Sequence, residues 1–422
     1  MRAEYEILFQ PVQLAGVTIP NRFFMAPMGN FGYADANGAP TDPLIDYFEA
    51  RAQGGTGLIF TGFCVVDERI EDVKTPSILV IREDPTVFIA QCKKLTRRVH
   101  AHGAKIFLQL TAGFGRGAKV VPLTKHVAVC DMPNKFDPSI QHRAMTTREV
   151  EFMVAAFGRG ASIARECGFD GVEVHAVHEG YLLDQFTMEC FNRRTDRYGG
   201  SFENRYRVVC EIVEAIKTAC GKDFPVTLRY SVKHFMKGIG VGMLLEEAGT
   251  VPEMGRDLEE GVAAARYLHQ AGYDALNADI GCYESHYLSH PNIFTPDALY
   301  LPYVRRIQEE AGVPVLTCGR MDDPAAAARA VAEGGCTMVG LGRPLLADPD
   351  YVNKLRTKDP GEIRQCISCN FGCLTTRANP GKVQCAVNPR AYHEAETRLV
   401  PTAAPRTVTV IGSGPAGLEA AA

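Results

Sequence analysis

Four cysteines near the carboxyl end of the chain carry the strongest chemical signal. They are spaced as Cys366-x2-Cys369-x3-Cys373-x11-Cys385, and thiolates held this close suit an iron–sulfur cluster. Zinc is the competing metal, although zinc sites usually pair two short Cys-x2-Cys units across a longer gap. The remaining cysteines, from a total of 14, are scattered singly and are typical of buried free thiols. The spacing therefore favours a 4Fe–4S cluster, and with it electron-transfer chemistry.

Two Gly-Arg pairs suggest a second kind of ligand. Gly319-Arg320 and Gly342-Arg343 each close a short apolar run. Glycine lets the backbone approach a ligand, and the guanidinium group presents a fork of donors that matches phosphate oxygens. Either arginine alone would be interpreted as a solvated charge at a helix start. Two such pairs on successive runs favour a phosphorylated cofactor.

The apolar runs that must position these residues number eight, and they alternate with helix-forming segments such as 149–167 and 323–334. Runs that are apolar on both faces and separated by helices are typical of a parallel sheet with covered faces. Eight such units predict an α/β fold, specifically a (β/α)8 TIM barrel, with a doubly wound sheet as the alternative. The predicted strands are 21–28, 57–64, 105–110, 171–175, 226–231, 275–281, 314–319 and 337–343.

A barrel would bring the polar candidates together. Side chains at the carboxyl ends of barrel strands face the active-site mouth. Gln109 lies near the end of the third run, His175 ends the fourth, and Arg229 lies late in the fifth. The two Gly-Arg pairs close the seventh and eighth runs, where barrels commonly bind phosphate. We therefore expect one site at the mouth of the barrel.

Composition points to a cytoplasmic enzyme. The chain has 422 residues, 46% of them hydrophobic, and a formal net charge of −4. Residues 1–20 lack the apolar core of a secretory signal, and the many free cysteines suit a reducing compartment. The apolar runs fall far short of the roughly 20 residues needed to span a bilayer, and basic residues are interspersed with acidic ones. We expect neither a membrane nor a nucleic-acid partner, while a homo-oligomer is compatible with the composition.

Two motifs after the fourth run carry a family resemblance. One reads Val172-Glu-Val-His175-Ala-Val-His178-Glu-Gly-Tyr181, and the other reads Asn192-Arg-Arg-Thr-Asp-Arg-Tyr-Gly-Gly-Ser-Phe-Glu-Asn-Arg205. With Ala26-Pro27-Met28 and Leu346-Ala-Asp-Pro349, they resemble the Old Yellow Enzyme flavoprotein family. The four cysteines place the chain near the iron–sulfur subgroup, which includes 2-enoate reductases and 2,4-dienoyl-CoA reductases. The resemblance implies FMN in the barrel and a small-molecule enoate that is reduced at its C=C bond.

The resemblance also assigns residues to the flavin. Those that would contact FMN are, in chain order, Pro27, Met28, Gly62, Gln109, Arg229, Gly319, Arg320, Gly342 and Arg343. The first three would line the flavin ring, and the glutamine would hydrogen-bond its pyrimidine edge. Arg229 would lie near flavin N1, where a fixed positive charge stabilises the reduced, anionic ring. The Gly-Arg pairs would hold the phosphate, and the implied chemistry is hydride transfer from flavin N5 to the β-carbon of an activated alkene.

Four residues would act on the substrate by the same resemblance. His175 and His178, three positions apart, would converge on one substrate oxygen and polarise it. Tyr181 would deliver the proton to the α-carbon, because a phenol with a pKa of about 10 holds its proton at neutral pH. Tyr283 takes the position at which dienoyl-CoA reductases carry a second acid, a histidine. Glu179 is an extra residue relative to the shorter family motif, and it would re-aim the tyrosine.

Several alternatives remain open at this stage. Because that histidine is absent, a 2-enoate is favoured over a dienoyl-CoA as the substrate. Steroid or bile-acid enones are alternative substrates within the same enzyme family. A flavoprotein that only relays electrons is a further alternative. A zinc hydrolase built on His175, His178 and Glu179 is disfavoured, since this spacing is not the i, i+4 helical pair of a metalloprotease. Three further residues are candidates for binding a substrate carboxylate, although each is expected to be an ordinary exposed polar side chain. They are Lys233, His234 and His286.

The last residues predict the start of a dinucleotide-binding domain. Val408-Thr-Val-Ile-Gly412-Ser-Gly414-Pro-Ala-Gly417 reads as a strand that runs into a Gly-x-Gly-x-x-Gly turn and a helix. Because the chain stops at residue 422, we expect a truncated domain in which these glycines do not bind FAD. In a longer protein, electrons would pass from NADH through FAD and the cluster to FMN. The predicted domains are a barrel over 1–358, a cysteine segment over 359–404 and the domain start over 405–422.

Overall fold

A computed structural model describes most of the chain. The described residues are 2–71, 78–118, 125–357, 360–374, 382–398, 400 and 402–421. The predicted boundary between the barrel and the cysteine segment, at 358 and 359, lies outside these ranges. None of the described helices has the length and apolar composition needed to cross a bilayer.

Eight parallel strands close into a barrel. They are β1 (Phe23–Met25), β2 (Leu58–Val65), β3 (Lys105–Thr111), β4 (Gly171–Val177), β5 (Val226–Ser231), β6 (Ala275–Asp279), β7 (Val315–Thr317) and β8 (Met338–Leu341). Each strand pairs with its sequence neighbours. The ring closes where β8 pairs with β1, with Val339 opposite Phe23, and β1 pairs with β2, with Phe24 opposite Leu58. The predicted (β/α)8 barrel is confirmed, and the doubly wound alternative is wrong.

A helix follows each strand and covers the outside of the barrel. These helices are α1 (Asp42–Gln53), α2 (Thr86–His100), α3 (Thr147–Glu166), α4 (Phe202–Cys220), α5 (Leu258–Ala271), α6 (Leu301–Arg306), α7 (Pro324–Ala332) and α8 (Tyr351–Thr357). Local sequence sets several of their starts. Thr146 and Glu149 form a reciprocal capping box at α3, and Asp323 accepts hydrogen bonds from two backbone N–H groups at the start of α7.

Shorter strands and helices are present in addition to the eight barrel strands and the eight helices that cover them. The short strands are Val12–Leu14, Val17–Ile19, Leu79–Val80, Val127–Ala128, Met132–Pro133, Gln141–Ala144, Met236–Gly238 and Val241–Gly242. The short helices are Ala3–Phe9, Gly115–Gly117, Leu182–Thr187, Leu245–Glu247, His286–Ser289, Ile307–Ala311, Arg343–Ala347, Pro360–Glu362 and Pro415–Ala421.

Apolar side chains fill the amino-terminal half of the barrel. Phe60 packs edge-on against Phe24 and Phe107, with ring centroids 5.6 Å and 5.5 Å apart. Leu14 and Ile19, from the hairpin before β1, belong to the same buried cluster and close that end. Because this end is packed solid, a ligand has access only at the carboxyl end of the strands.

The segment that carries the cysteines is attached to the barrel by a stack of tyrosines. The ring of Tyr392 lies between Tyr33 and Tyr47, with centroids 4.1 Å and 4.0 Å away. The Tyr392 hydroxyl donates to Asn30 Oδ1 at 2.6 Å, and the Tyr33 hydroxyl donates to the carbonyl of Val383 at 3.3 Å. These contacts hold the cysteine segment against the mouth of the barrel.

The terminal glycine motif is only partly folded as predicted. The helix begins at Pro415, but residues 408–411 form no strand, and Ile411 is 95% exposed. A strand requires a neighbouring strand to pair with, and none of the described residues supplies one here. The turn itself needs small residues, since a Cβ on Gly417 would lie 2.0 Å from the Gly412 carbonyl oxygen.

Candidate functional site

The carboxyl ends of the strands surround one cavity. Residues at or just beyond the strand ends form its wall, together with residues 289–291 and the cysteine segment. The predicted site residues that line it are Pro27, Met28, Gln109, His175, His178, Tyr181, Arg229, Gly319, Arg320, Gly342, Arg343, Cys366 and Cys373. The barrel therefore collects side chains from both ends of the chain in one place.

The other predicted residues lie outside this lining. Gly62 lies behind the wall, where an added Cβ would be 2.2 Å from the Met28 carbonyl oxygen and 2.6 Å from Asn30 Nδ2. Tyr283 packs edge-on against Tyr181, with ring centroids 5.1 Å apart. Cys369 and Cys385 line a neighbouring cavity, while the predicted dinucleotide-binding glycines lie apart in the exposed terminal segment and are Gly412, Gly414 and Gly417.

A buried carboxyl group on β4 connects three strands inside the barrel. Gln109 Nε2 donates to one oxygen of Glu173, and Asn277 Nδ2 donates to the other, both at 2.8 Å. Glu173 is completely buried, and this burial raises the pKa of its carboxyl to about 7. Because side chains alternate along a strand, Glu173 and His175 face the same side of β4.

A second set of contacts links the arginine on β5 to a histidine of the cavity wall. Arg229 donates to Asn277 Oδ1 at 2.7 Å and to Asp279 Oδ2 at 2.5 Å. Asp279 Oδ2 also lies 2.6 Å from His178 Nε2, and its other oxygen accepts from Ser231 Oγ at 2.9 Å. Burial alone would lower the pKa of Arg229, but the Asp279 carboxylate raises it above the usual range. The guanidinium group is therefore a fixed positive charge balanced by a buried carboxylate.

The two histidines of the motif form a bonded pair. His175 Nε2 lies 3.1 Å from His178 Nδ1. Burial, reinforced by the charge of His178, lowers the pKa of His175 well below the usual value, so His175 is neutral at pH 7. His175 Nδ1 is buried and has no hydrogen-bond partner among the described residues. Since His175 lines the cavity, this nitrogen is available to a ligand.

Tyr181 lies against this pair in an aromatic environment. Its side chain is almost buried, and its ring centroid is 4.7 Å from that of His175 and 6.3 Å from that of His178. Phe114 packs edge-on at 5.2 Å. The extra residue Glu179 has therefore not moved the tyrosine away from the histidines.

Glu179 itself adopts an unusual conformation. Its φ of +56° is left-handed, which costs a residue other than glycine about 1–2 kcal/mol, and Gly180 follows with a φ of +77°. Its carboxylate is nearly buried and lies 3.3 Å from His290 Nδ1. Burial alone would raise the pKa of Glu179, but His290, His178 and His286 lower it below the usual range. The cavity wall therefore carries an anionic side chain that the sequence motif did not predict.

The two predicted phosphate arginines differ in charge balance. Arg320 pairs with Asp297 at 2.5 Å and donates to the Asn292 carbonyl at 3.0 Å. Arg343, the first residue of the short helix after β8, donates to Asn370 Oδ1 at 2.5 Å. Within the described residues, Arg343 forms no ion pair with a carboxylate. Arg343 is therefore the arginine whose positive charge is more accessible to a bound anion.

The cysteines line a second, smaller cavity next to the first, and they are Cys366, Cys369, Cys373 and Cys385. Cys366, Cys373 and Arg343 border both cavities. Burial raises the pKa of the Cys366 thiol above its usual value and that of Cys373 to about 11. Among the described residues, no three His, Cys, Asp or Glu side chains form a group that could hold a metal ion.

Some residues of the site were not predicted from the sequence. Glu173 lies two positions before His175. Because residues two positions apart in a strand lie on the same face, the sequence would have predicted that both face the inside of the barrel. Asp279 lies near the end of the sixth predicted run, 275–281, and is the last residue of β6, while Asn277 precedes it by two positions. One expectation was wrong: His234 is completely buried rather than exposed.

Replacing Glu173 with glutamine is expected to change how stability depends on pH. The folded-state pKa of about 7 exceeds the ordinary value of 4.5, so the folded protein binds more protons than the unfolded chain between these values. The free energy of unfolding of the wild type should therefore fall by roughly 3 kcal/mol as the pH rises through this window. Urea unfolding at pH 5 and pH 8 should show a smaller fall in Glu173→Gln. The exposed Glu166→Gln control should behave like the wild type, and an equal fall in all three proteins would contradict this assignment.

Comparison with known proteins agrees with this geometry. The profile of the NADH:flavin oxidoreductase / NADH oxidase family matches residues 7–362. The chain is 46% identical to cinnamate reductase from Clostridium sporogenes over 100% of its own length and 63% of that protein, and 36% identical to NADH oxidase from Thermoanaerobacter brockii over 98% and 61%. The structure of 2-naphthoyl-CoA reductase in complex with 2-naphthoyl-CoA superposes with a TM-score of 0.85 at 26% identity, covering 98% of this chain and 62% of that one. The chain thus spans about three-fifths of the length of these relatives.

Proposed function

Because this chain belongs to the NADH:flavin oxidoreductase / NADH oxidase family, we propose that it binds FMN at the mouth of its barrel and reduces the C=C bond of an α,β-unsaturated carboxylate. The observation that carries the proposal is the convergence of His175, His178 and Tyr181 on the cavity that Arg343 also lines. The similarity to cinnamate reductase supports a 2-enoate as the substrate class.

The side chains at the cavity fit FMN. Arg343 lacks a carboxylate partner within the described residues, and Arg229 is a second cationic side chain that lines the cavity. These are the groups expected where a ligand with a polar head and a phosphate completes the site. Bound FMN would supply the hydride from its N5 atom. The protein residues that would hold it are Pro27, Met28, Gln109, Arg229, Gly319, Arg320, Gly342 and Arg343, all of which line the cavity.

The histidine pair would polarise the substrate carboxylate. The Asp279 carboxylate accepts a hydrogen bond, so His178 Nε2 carries a proton. If His178 is neutral, its Nδ1 is an acceptor, and His175 must donate through Nε2, which leaves His175 Nδ1 without a proton. If His178 is protonated on both nitrogens, it donates to His175 Nε2, and His175 Nδ1 carries a proton toward the cavity. The proposed clamp requires the second arrangement, in which His175 Nδ1 presents a proton to the substrate oxygen. Because both ring nitrogens of His178 are used within the protein, the pair suits this role better than metal binding.

Tyr181 would deliver the proton that completes the reduction. Its ring lies beside the clamp and lines the same cavity, in which the α-carbon would lie while the histidines hold the carboxylate. A phenol keeps its proton at neutral pH and releases it as negative charge develops on the substrate. Tyr283, in contact with the ring of Tyr181, would support it.

The four thiols would hold a 4Fe–4S cluster. Their arrangement around one cavity beside Arg343 supports this assignment over accidental clustering. Elemental analysis of anaerobically purified protein should give about four iron atoms and four acid-labile sulfides per chain. Cys369→Ala should lose most of the iron while keeping its flavin. Zinc at about one atom per chain, without iron, would replace this assignment with a structural zinc site.

For a longer protein that contains this chain, we propose electron delivery from NADH through FAD to the cluster and then to the barrel. The support is the glycine turn at Gly412 and the greater length of the relatives. In that protein, Cys369→Ala should abolish NADH-driven turnover while the alkene half-reaction persists.

The test of the proposed function is anaerobic stopped-flow absorbance. The dithionite-titrated, reduced chain is mixed with cinnamate, and the return of the oxidised flavin band is followed. The saturated analogue 3-phenylpropionate, which has no double bond to reduce, serves as the control. Rapid return with cinnamate alone supports enoate reduction. No return with cinnamate would indicate a thioester or polycyclic enone substrate, or a barrel that only relays electrons.

A further inference from the structure

The side-chain amide of Asn370 joins two parts of the barrel mouth. This residue lies in the loop between Cys369 and Cys373 and has a φ of +55°, a conformation that asparagine tolerates better than most residues. Its Oδ1 accepts from Arg343 Nη1 at 2.5 Å, and its Nδ2 donates to the backbone carbonyl of His290 at 3.0 Å. Both polar ends of the amide are therefore used across the boundary between the cysteine segment and the barrel.

The two partners belong to different sides of the cavity. Arg343 borders both the large cavity and the cysteine cavity. His290 follows the helix after β6, and its ring lies 3.3 Å from the Glu179 carboxylate on the wall beside the histidine pair. The side chain of Asn370 thus contacts Arg343 at the predicted phosphate site and His290 on the cavity wall beside the histidine pair.

The chemistry of this contact suits an anion. Arg320 pairs with the exposed carboxylate of Asp297, whereas the partner of Arg343 is a neutral amide. An amide oxygen orients a guanidinium group without cancelling its charge, so the remaining N–H donors keep their full attraction for a phosphate. A carboxylate at position 370 would orient Arg343 equally well but would compete with the phosphate.

We propose that Asn370 is a positioning residue that aims Arg343 at the phosphate of FMN and fixes the loop that carries His290. The affinity for FMN then depends on the contact between Asn370 and Arg343. This inference rests on the proposed function, in which Arg343 contacts the phosphate.

The experiment compares FMN with riboflavin, which lacks the phosphate. The flavin is removed from the full chain, and dissociation constants for both ligands are measured by quenching of flavin fluorescence in the wild type, Asn370→Ala and Asn370→Asp. We expect Asn370→Asp to weaken FMN binding by about tenfold or more, the size of a lost charge-assisted hydrogen bond, and to leave riboflavin binding within about twofold. Asn370→Ala should show a smaller loss that is also specific to FMN.

Two further measurements separate positioning from general damage. Arg343→Ala should remove most of the preference for FMN over riboflavin, and adding Asn370→Asp to it should change that preference no further. Iron content reports the state of the cysteine segment, and Asn370→Ala with its iron retained must still show the FMN-specific loss. Equal weakening of both flavins, or weakening of neither, would overturn the inference. Wild-type protein that binds no FMN would instead overturn the proposed function.

Discussion

Replacing Tyr181 with phenylalanine is expected to slow the reoxidation of the reduced protein by cinnamate by a factor of roughly 10² to 10⁴, the usual contribution of a positioned general acid. The ring of Tyr181 packs against His175 and Phe114, and phenylalanine preserves that packing while removing the only acidic hydrogen of the side chain. Flavin content should not change. Anaerobic stopped-flow absorbance gives the rate, and the flavin released on denaturation gives the content.

Tyr283→Phe is the matched control for this prediction. Its ring contacts that of Tyr181 at 5.1 Å, but the residue does not line the cavity. We expect a slowing of less than about tenfold from a supporting role. If Tyr181→Phe reoxidises at the wild-type rate, Tyr181 is not the proton donor. If only Tyr283→Phe is slow, that role passes to Tyr283.

Replacing Asp279 with alanine is expected to lower the free energy of unfolding by about 3–5 kcal/mol, because it leaves the buried guanidinium group of Arg229 without its balancing charge. The same change removes the acceptor for His178 Nε2, so the histidine pair loses the contact that orients it. Reduction of cinnamate should fall together with stability. Urea unfolding at pH 7 measures the first effect, and stopped-flow absorbance below the unfolding transition measures the second.

Ser231→Ala provides the comparison for Asp279. It removes one 2.9 Å hydrogen bond to the same carboxylate and leaves the arginine and histidine contacts in place. A hydrogen bond to a charged group of this kind contributes about 1.5–3 kcal/mol. Should Asp279→Ala cost no more than Ser231→Ala, the buried ion pair with Arg229 would not be a major source of stability. Retained activity in Asp279→Ala would remove the carboxylate from the proposed clamp.

The local pattern of apolar and polar residues was enough to predict the barrel fold. The eight strand positions follow from short runs that are apolar on both faces, and all eight pair in the barrel. Strand order and barrel geometry then account for why Gln109, His175 and Arg229 meet, since each lies near the carboxyl end of its strand. Such a prediction works because it depends only on strand period and position along the strand.

The charge state of the site could not be obtained in this way. Arg320 and Arg343 occur in identical Gly-Arg pairs, yet one pairs with Asp297 and the other faces the amide of Asn370. Glu173 accepts hydrogen bonds from Gln109, which lies 64 positions before it, and from Asn277, which lies 104 positions after it. The pKa of a buried group depends on such neighbours and on the loss of water, neither of which a sequence pattern contains.

By itself, the sequence determined the barrel, the family and the set of residue types at the mouth, because strand period and motif spacing are local properties of the chain. Only the tertiary structure decided which of those residues share a cavity, which arginine is paired with a carboxylate, and how Glu179 and Asn370 join the site. Those outcomes arise from contacts between distant segments, in which burial and pairing, rather than residue type, set the charge of each group.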